Sequence, residues 1–152
     1  MSTIATTNLK NASSGSNNVV LNADGSTSVG GNLAFNSGYG SSTVAYGCRA
    51  WVNFNGTTAS PSTIRGSGNI SSVTKSATGQ YVVNFTTAMP DANYALCASA
   101  VDGGAFGGQA GQDYASTLST SSCNIRVYKY GSGSTFAPGN QDAAYVYVAI
   151  FR

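Results

Sequence analysis

The sequence predicts an all-β protein, an antiparallel β-sandwich or jelly roll with an extended N-terminal arm. Three observations point there. Apolar residues recur with a period of two over several short runs, as in Ala50, Val52 and Phe54. Clusters of Gly, Asn, Asp, Ser and Pro separate those runs at short intervals, the pattern of strands joined by turns. No segment carries a sustained 3.6-residue period with caps, so essentially no helix is expected. At 152 residues the chain suits one cored domain.

Taken in order, residues 1–45 come first and are poor in large apolar side chains. Val19-Val20-Leu21 and the stretch from Ser28 to Phe35 have strand character. Between them, Ala23-Asp24-Gly25-Ser26 reads as a type I′ hairpin turn, because Asp-Gly tolerates positive φ. Two or three strands this short cannot bury a core alone and need another surface to lie on. The arm is therefore expected to bind neighbouring subunits, with Leu9, Lys10, Val19, Val20, Leu21, Leu33 and Phe35 as its partner-binding residues.

Residues 46–152 are expected to form the sandwich. Cys48 to Phe54 alternates, with Ala50, Val52 and Phe54 on one face and Arg49, Trp51 and Asn53 on the other, and Asn55-Gly56 ends it. Ile70 to Thr74 and Tyr81 to Phe85 flank a hairpin turn at residues 75–80, with Tyr81, Val83 and Phe85 sharing a face. Pro90-Asp91 turns the chain into Tyr94 to Val101. A Gly-rich loop over 102–111 follows, then strands at Ala115 to Ser119 and Asn124 to Tyr130. A second loop, from Gly131 to Asn140, leads to a final strand from Tyr145 to Phe151, which ties the C-terminus into a sheet.

Composition narrows the function. Only 8% of residues are charged, against about 25% in an ordinary soluble domain. Ser, Thr, Asn and Gly replace them, so copies packed side by side repel one another little. With hydrophobic residues at 41% and nine Tyr, the chain is not a disordered one. Its seven basic residues (Lys10, Arg49, Arg65, Lys75, Arg126, Lys129 and Arg152) are scattered, and a net charge of +2 gives no stripe for a nucleic acid. No apolar run approaches the ~20 residues that span a bilayer. The first residues lack the basic and apolar regions of a signal peptide, so assembly in a cytoplasm is expected. The Asn-x-Ser/Thr sequons at Asn11, Asn55, Asn69 and Asn84 are then chance matches. Cys48, Cys97 and Cys123 show no Cys-x-x-Cys spacing and are expected as three reduced, buried hydrophobes, with one disulfide as the alternative in an oxidised particle.

No enzyme is expected. His and Glu are both absent, which removes the usual general base from every Ser and Cys. Of the five Asp, Asp24, Asp91, Asp102 and Asp142 sit at turns. Asp113 is the exception, and a pair with Asp102 about 5–9 Å away would be the one carboxylate arrangement able to cleave a glycosidic bond. A calcium loop would need closer Asp spacing than is present. The run Gly103-Gly104-Ala105-Phe106-Gly107-Gly108 lacks the Lys and the helix of a phosphate cradle. No catalytic, cofactor-binding or metal-binding residue is therefore assigned, and Asp113→Asn is expected to be neutral. Trp51 and the tyrosines, in alternating positions, suit core and interface packing better than sugar stacking.

One stretch carries a family resemblance. It runs through Ala50-Trp51-Val52-Asn53-Phe54-Asn55-Gly56, Thr63-Ile64-Arg65, Asn69-Ile70-Ser71-Ser72-Val73-Thr74 and the long string from Gly79 to Ala95. This resembles a domain of virion proteins of marine and cyanobacterial phages, often placed at the C-terminal end of tail fibres. The closing Val148-Ala149-Ile150-Phe151-Arg152 is similar, as is the lead-in Asn8-Leu9-Lys10 through Gly25. About half of the chain is covered. The resemblance implies a homotrimeric structural protein on the virion surface and supplies no catalytic residues. Fibres usually carry an N-terminal anchor and a long shaft, and this chain starts at Met1 with almost neither. A short stand-alone version is therefore expected, a capsid decoration (cement) protein whose arm grips the major capsid protein. The alternative is a tail-fibre tip, with tail proteins and host surface glycans as partners.

Overall fold

The computed structural model describes residues 6–35, 41–101, 108–129 and 139–152. Fourteen strands and no helix occur among them, and every ladder is antiparallel. The chain divides into two units, residues 1–46 and 47–152.

In the first unit, β1 (Asn8–Leu9), β2 (Val19–Leu21) and β3 (Thr27–Val29) form a three-stranded sheet. The turn between β2 and β3 differs from the expected type I′. Asn22 and Ser26 still pair, the Gly25 N–H donates to the Asn22 carbonyl (3.1 Å), and Gly25 takes a φ of +84°. That is a three-residue loop closed by a left-handed Gly, the next most common hairpin geometry after the two-residue turns. Asp24 accepts the Ser26 N–H and hydroxyl at 2.9 and 2.7 Å, which holds the loop. The predicted strand from Ser28 to Phe35 is broken at Gly30-Gly31, and a separate ladder follows from β4 (Ala34–Phe35) and β5 (Thr43–Val44).

The second unit holds two larger sheets. One orders β10 (Ala95–Val101), β14 (Tyr145–Phe151), β6 (Cys48–Asn55) and β7 (Thr63–Gly68) side by side. The other orders β11 (Gly108–Gln112), β12 (Ser122–Lys129), β9 (Gln80–Phe85) and β8 (Ile70–Ala77), with β13 (Gly139–Asn140) paired to β12. Their facing sides share one core. Ala50, Val52, Phe54, Val146, Val148 and Ile150 come from the first sheet, and Val73, Tyr81, Val83, Cys123, Ile125 and Val127 from the second. Phe54 and Tyr81 meet edge to face, centroids 5.1 Å apart. This two-layer antiparallel arrangement is consistent with the sandwich that alternation predicted.

Single residues set the geometry at two places. Asn69, between β7 and β8, takes a φ of 58° and carries the chain from one sheet to the other. Asn tolerates that left-handed conformation better than most residues. Its side chain fixes the corner, with Nδ2 donating to the Arg49 and Thr87 carbonyls (3.3 and 3.0 Å) and Oδ1 accepting the Thr87 N–H (2.7 Å). The β8–β9 hairpin is the expected one, closed by Thr78 and Gly79.

Four further expectations are corrected. The strand β7 was not expected, and β11 begins inside the predicted Gly-rich loop. Residues 115–119 form a turn instead of a strand: Ser116 N–H donates to the Asp113 carbonyl and Ala115 N–H to its carboxylate, both at 3.1 Å. Of the cysteines, Cys48 and Cys97 are exposed and only Cys123 is buried; all three are free thiols.

Candidate functional site

Two surfaces stand out, one in each unit. In the first unit, the register fixes which of the predicted partner-binding residues act together. Leu9 lies opposite Val19, Val19 opposite Val29, and Leu21 opposite Thr27. Residues directly opposite share a face, so Leu9, Val19, Leu21 and Val29 make one apolar face. Val20 joins Asn8 and Ser28 on the other face, where Asn22 Nδ2 donates to the Ser28 hydroxyl. Lys10 follows β1 and is exposed; Leu33 and Phe35 belong to the β4 segment, away from that register. Val29 was not assigned from sequence. Pairing the residues outward from the Asp-Gly turn would have found it. None of residues 6–34 is buried, and Leu9 is 53% exposed.

In the second unit, the outer face of the β10-β14-β6-β7 sheet is aromatic. Trp51, Tyr145, Tyr147, Phe151 and Val101 are all exposed there, Trp51 at 46%. One cross-strand row reads Cys97, Ala149, Trp51, Gly68, and the next reads Ser99, Tyr147, Asn53, Gly66. The glycines form a bed for the indole. A Cβ on Gly68 would stand 2.5 Å from Trp51 Nε1, and one on Gly66 3.3 Å from its six-membered ring. Trp51 therefore lies over β7, and small Ala149 beside it leaves a hollow. An open groove of about 600 Å³ results, walled by Trp51, Tyr147 and Cys97 with Asn53 and Ser99 at its margin. On the same sheet the Arg65 guanidinium lies 4.3 Å from the Tyr145 ring centroid and donates to the Ala144 carbonyl at 2.8 Å. The sequence showed Trp51 on the outward face, but its glycine bed only emerges with β7.

The opposite outer face differs. Across β12, β9 and β8 its rows read Ser122, Asn84, Ser72 and Asn124, Val82, Thr74. Asn84 Nδ2 donates to the Ser72 and Thr74 hydroxyls at 3.0 and 3.3 Å. It is a polar surface bonded to itself.

The carboxylates serve the fold. Asp142 accepts from Lys75 Nζ, from the Gly79 N–H (2.8 Å) and from the Tyr81 hydroxyl (2.9 Å), so it ties the β8–β9 hairpin to the approach to β14. Burial raises its pKa, and those three hydrogen bonds, with the Lys75 charge, outweigh burial and hold it below the ordinary carboxylate value. The Tyr81 phenol is raised by burial first and then by Asp142. Burial also pushes the Cys123 thiol up to about 12, far from a nucleophile's range. Asp91 accepts the Asn93 N–H (2.8 Å) and pairs with Arg152.

Asp113 corrects the expectation of neutrality. It is 5% exposed and pairs with Arg126 Nη2 at 3.0 Å, and the Arg126 guanidinium lies 4.5 Å from the Tyr114 ring centroid. Removing its charge would strip Arg126 of this counter-ion, so Asp113→Asn is now expected to lower stability. Asp102, its postulated partner in glycosidic cleavage, lies outside the described residues. Among the described residues no cluster of three Cys or Asp side chains is placed to share a metal ion. No described helix is long and apolar enough to cross a membrane.

Compared with protein-family models, curated proteins and solved structures, the chain matches none. The surfaces must carry the functional argument by themselves.

Proposed function

We propose that this chain is a non-enzymatic structural protein of a bacteriophage particle, a homotrimer that decorates the capsid surface and grips the shell through its first 45 residues. The observation that carries this reading is the unburied apolar face of Leu9, Val19, Leu21 and Val29. A small sheet with one apolar side is only marginally stable until that side is covered. Laid on a capsid protein, it exchanges water for an apolar surface and gains the stability that its own unit lacks. Each copy bound to assembled shell, and not to free subunits, stabilises the shell by mass action. The low charge of the chain suits dense packing among copies, and the resemblance to phage virion domains supplies the context. The absence of His and Glu and the structural engagement of Asp91, Asp113 and Asp142 support a role without catalysis. The sandwich is part of this reading, and the β6–β7, β8–β9 and β11–β12 links, which keep successive strands in one sheet, support it.

A second reading is favoured by the long strings shared with fibre C-terminal domains: a tail-fibre tip that contacts host glycans. Copy number separates the two, because hundreds of copies per virion fit decoration and a few tens or fewer fit a fibre. The direct test deletes residues 1–30 and adds the purified protein to particles lacking it. Loss of attachment by a still-folded trimer is expected. Full occupancy by the truncated protein would refute the arm as the grip.

A further inference from the structure

The outer face over β12, β9 and β8 is largely polar, with Asn84 bonded to Ser72 and Thr74, whereas the face over β10, β14, β6 and β7 is aromatic. Large exposed apolar patches on a soluble protein mark interaction sites. With four strands about 4.8 Å apart and seven residues at about 3.4 Å each, this face measures roughly 19 by 24 Å in plan. That plan area, about 460 Å², is a little over half of the about 800 Å² that one partner contributes to a standard interface. A mono- or disaccharide would cover only its centre.

The chemistry of the face narrows the occupant further. Its four strands contain no carboxylate, and their two cations, Arg49 and Arg65, stand towards opposite ends. Faces turned towards a common axis can meet at their uncharged centres without opposing like charges. Trp51, Tyr147, Cys97, Ala98 and Ala149 give the groove an apolar lining, and of the polar side chains at its margin Asn53 already accepts from Arg65 at 3.4 Å. A sugar would find few polar groups there to replace its water, whereas an aromatic side chain would fill the hollow over Ala149. The same face presents such side chains in Tyr147 and Phe151. Hole and knob on one surface are what self-association between identical copies requires.

We infer that the outer face of the β10-β14-β6-β7 sheet, centred on Trp51, Ala149 and Tyr147, is where copies of this chain pack against one another. The inference rests on the proposed assembly of identical subunits and assigns its surface.

Cys97 sits in this face and provides a readout. In full-length protein carrying Cys48→Ser, Cys97 is the only exposed thiol, since Cys123 is buried. The experiment measures mass by light scattering and the rate at which a maleimide modifies Cys97, with and without Tyr147→Arg. Thr74→Arg on the polar face is the control. Expected are an assembled parent protein, a Tyr147→Arg variant reduced to monomer, and Cys97 modified about tenfold faster in that monomer. The control should behave like its parent. If the parent is assembled but Cys97 reacts as fast as a free thiol, or Tyr147→Arg leaves the mass unchanged, the surface is wrong while the assembly reading stands. A parent that stays monomeric at high micromolar concentration overturns the inference and the homotrimer together. Should Tyr147→Arg fail to fold, the rate at Cys97 in the assembled parent, against thiol in a short peptide, decides alone. Protection of Cys97 in a monomer only when host polysaccharide is added would assign the face to a glycan and overturn the inference.

Discussion

The three-stranded sheet of residues 6–35 and the sandwich of residues 47–152 use the same alternation to opposite ends. In both, residues two apart share a face, and in both that face is apolar. Val52, Phe54, Val83 and Ile125 are buried because a second sheet stands opposite. Leu9, Leu21 and Val29 remain exposed because no second layer covers them among the described residues of their own unit. A strand pattern specifies which side chains point together; the number of layers decides whether they leave water. Burial in one unit yields stability, and its absence in the other leaves the apolar face on which the proposed grip rests.

The contrast can be broken from either side. The largest effect is expected at Phe54, fully buried against Tyr81. Phe54→Ala should cost about 3–5 kcal/mol through lost burial and the cavity left behind, read as a lower denaturant midpoint. An unchanged midpoint would mean that the core is not where the sandwich's stability resides. A smaller loss, about 1–2 kcal/mol, is expected for Asp142→Asn, because its hydrogen bonds with Lys75, Gly79 and Tyr81 are only partly shielded from water. That loss carries a pH signature. The folded carboxyl of Asp142 lies below its unfolded value of about 3.9. Its contribution is therefore complete above that pH and disappears as pH falls through the folded value. Parent and variant should converge in stability in acid, and a gap that persists there would assign the role to packing instead of charge. The smallest effect on stability is expected in the arm. Leu21→Ser should move the sandwich's unfolding by no more than about 0.5 kcal/mol, yet reduce attachment to particles. Equal attachment by this variant would detach the apolar face from function.

Strands with a buried face were legible in the sequence, because burial imprints its period directly. Tyr145 to Phe151 alternates outward Tyr145 and Tyr147 with inward Val146, Val148 and Ile150, and its bounds were read correctly. The strand β7 escaped because Thr-Ile-Arg-Gly-Ser-Gly holds one apolar residue. Its glycines are chosen by the indole of Trp51 from a neighbouring strand, a relation with no local signal. Likewise β11, Gly-Gln-Ala-Gly-Gln, pairs through its backbone along β12 and offers only Ala110 to the core. Residues 115–119 misled in the opposite direction, since Leu118 packs against the core from a turn that the Asp113 backbone and carboxylate organise. In the arm, Leu9, Val19 and Leu21 were identified as a set, but separating them from Val20 and adding Val29 required the register.

The glycine bed under Trp51 has one more consequence. This is the only tryptophan in the chain, so the indole component of the protein's fluorescence is emitted from the aromatic face alone. Held over β7 with part of its ring in water, the indole should emit towards the red when the face is bare and towards the blue when it is covered. The protein thus carries its own optical gauge of what settles on that surface.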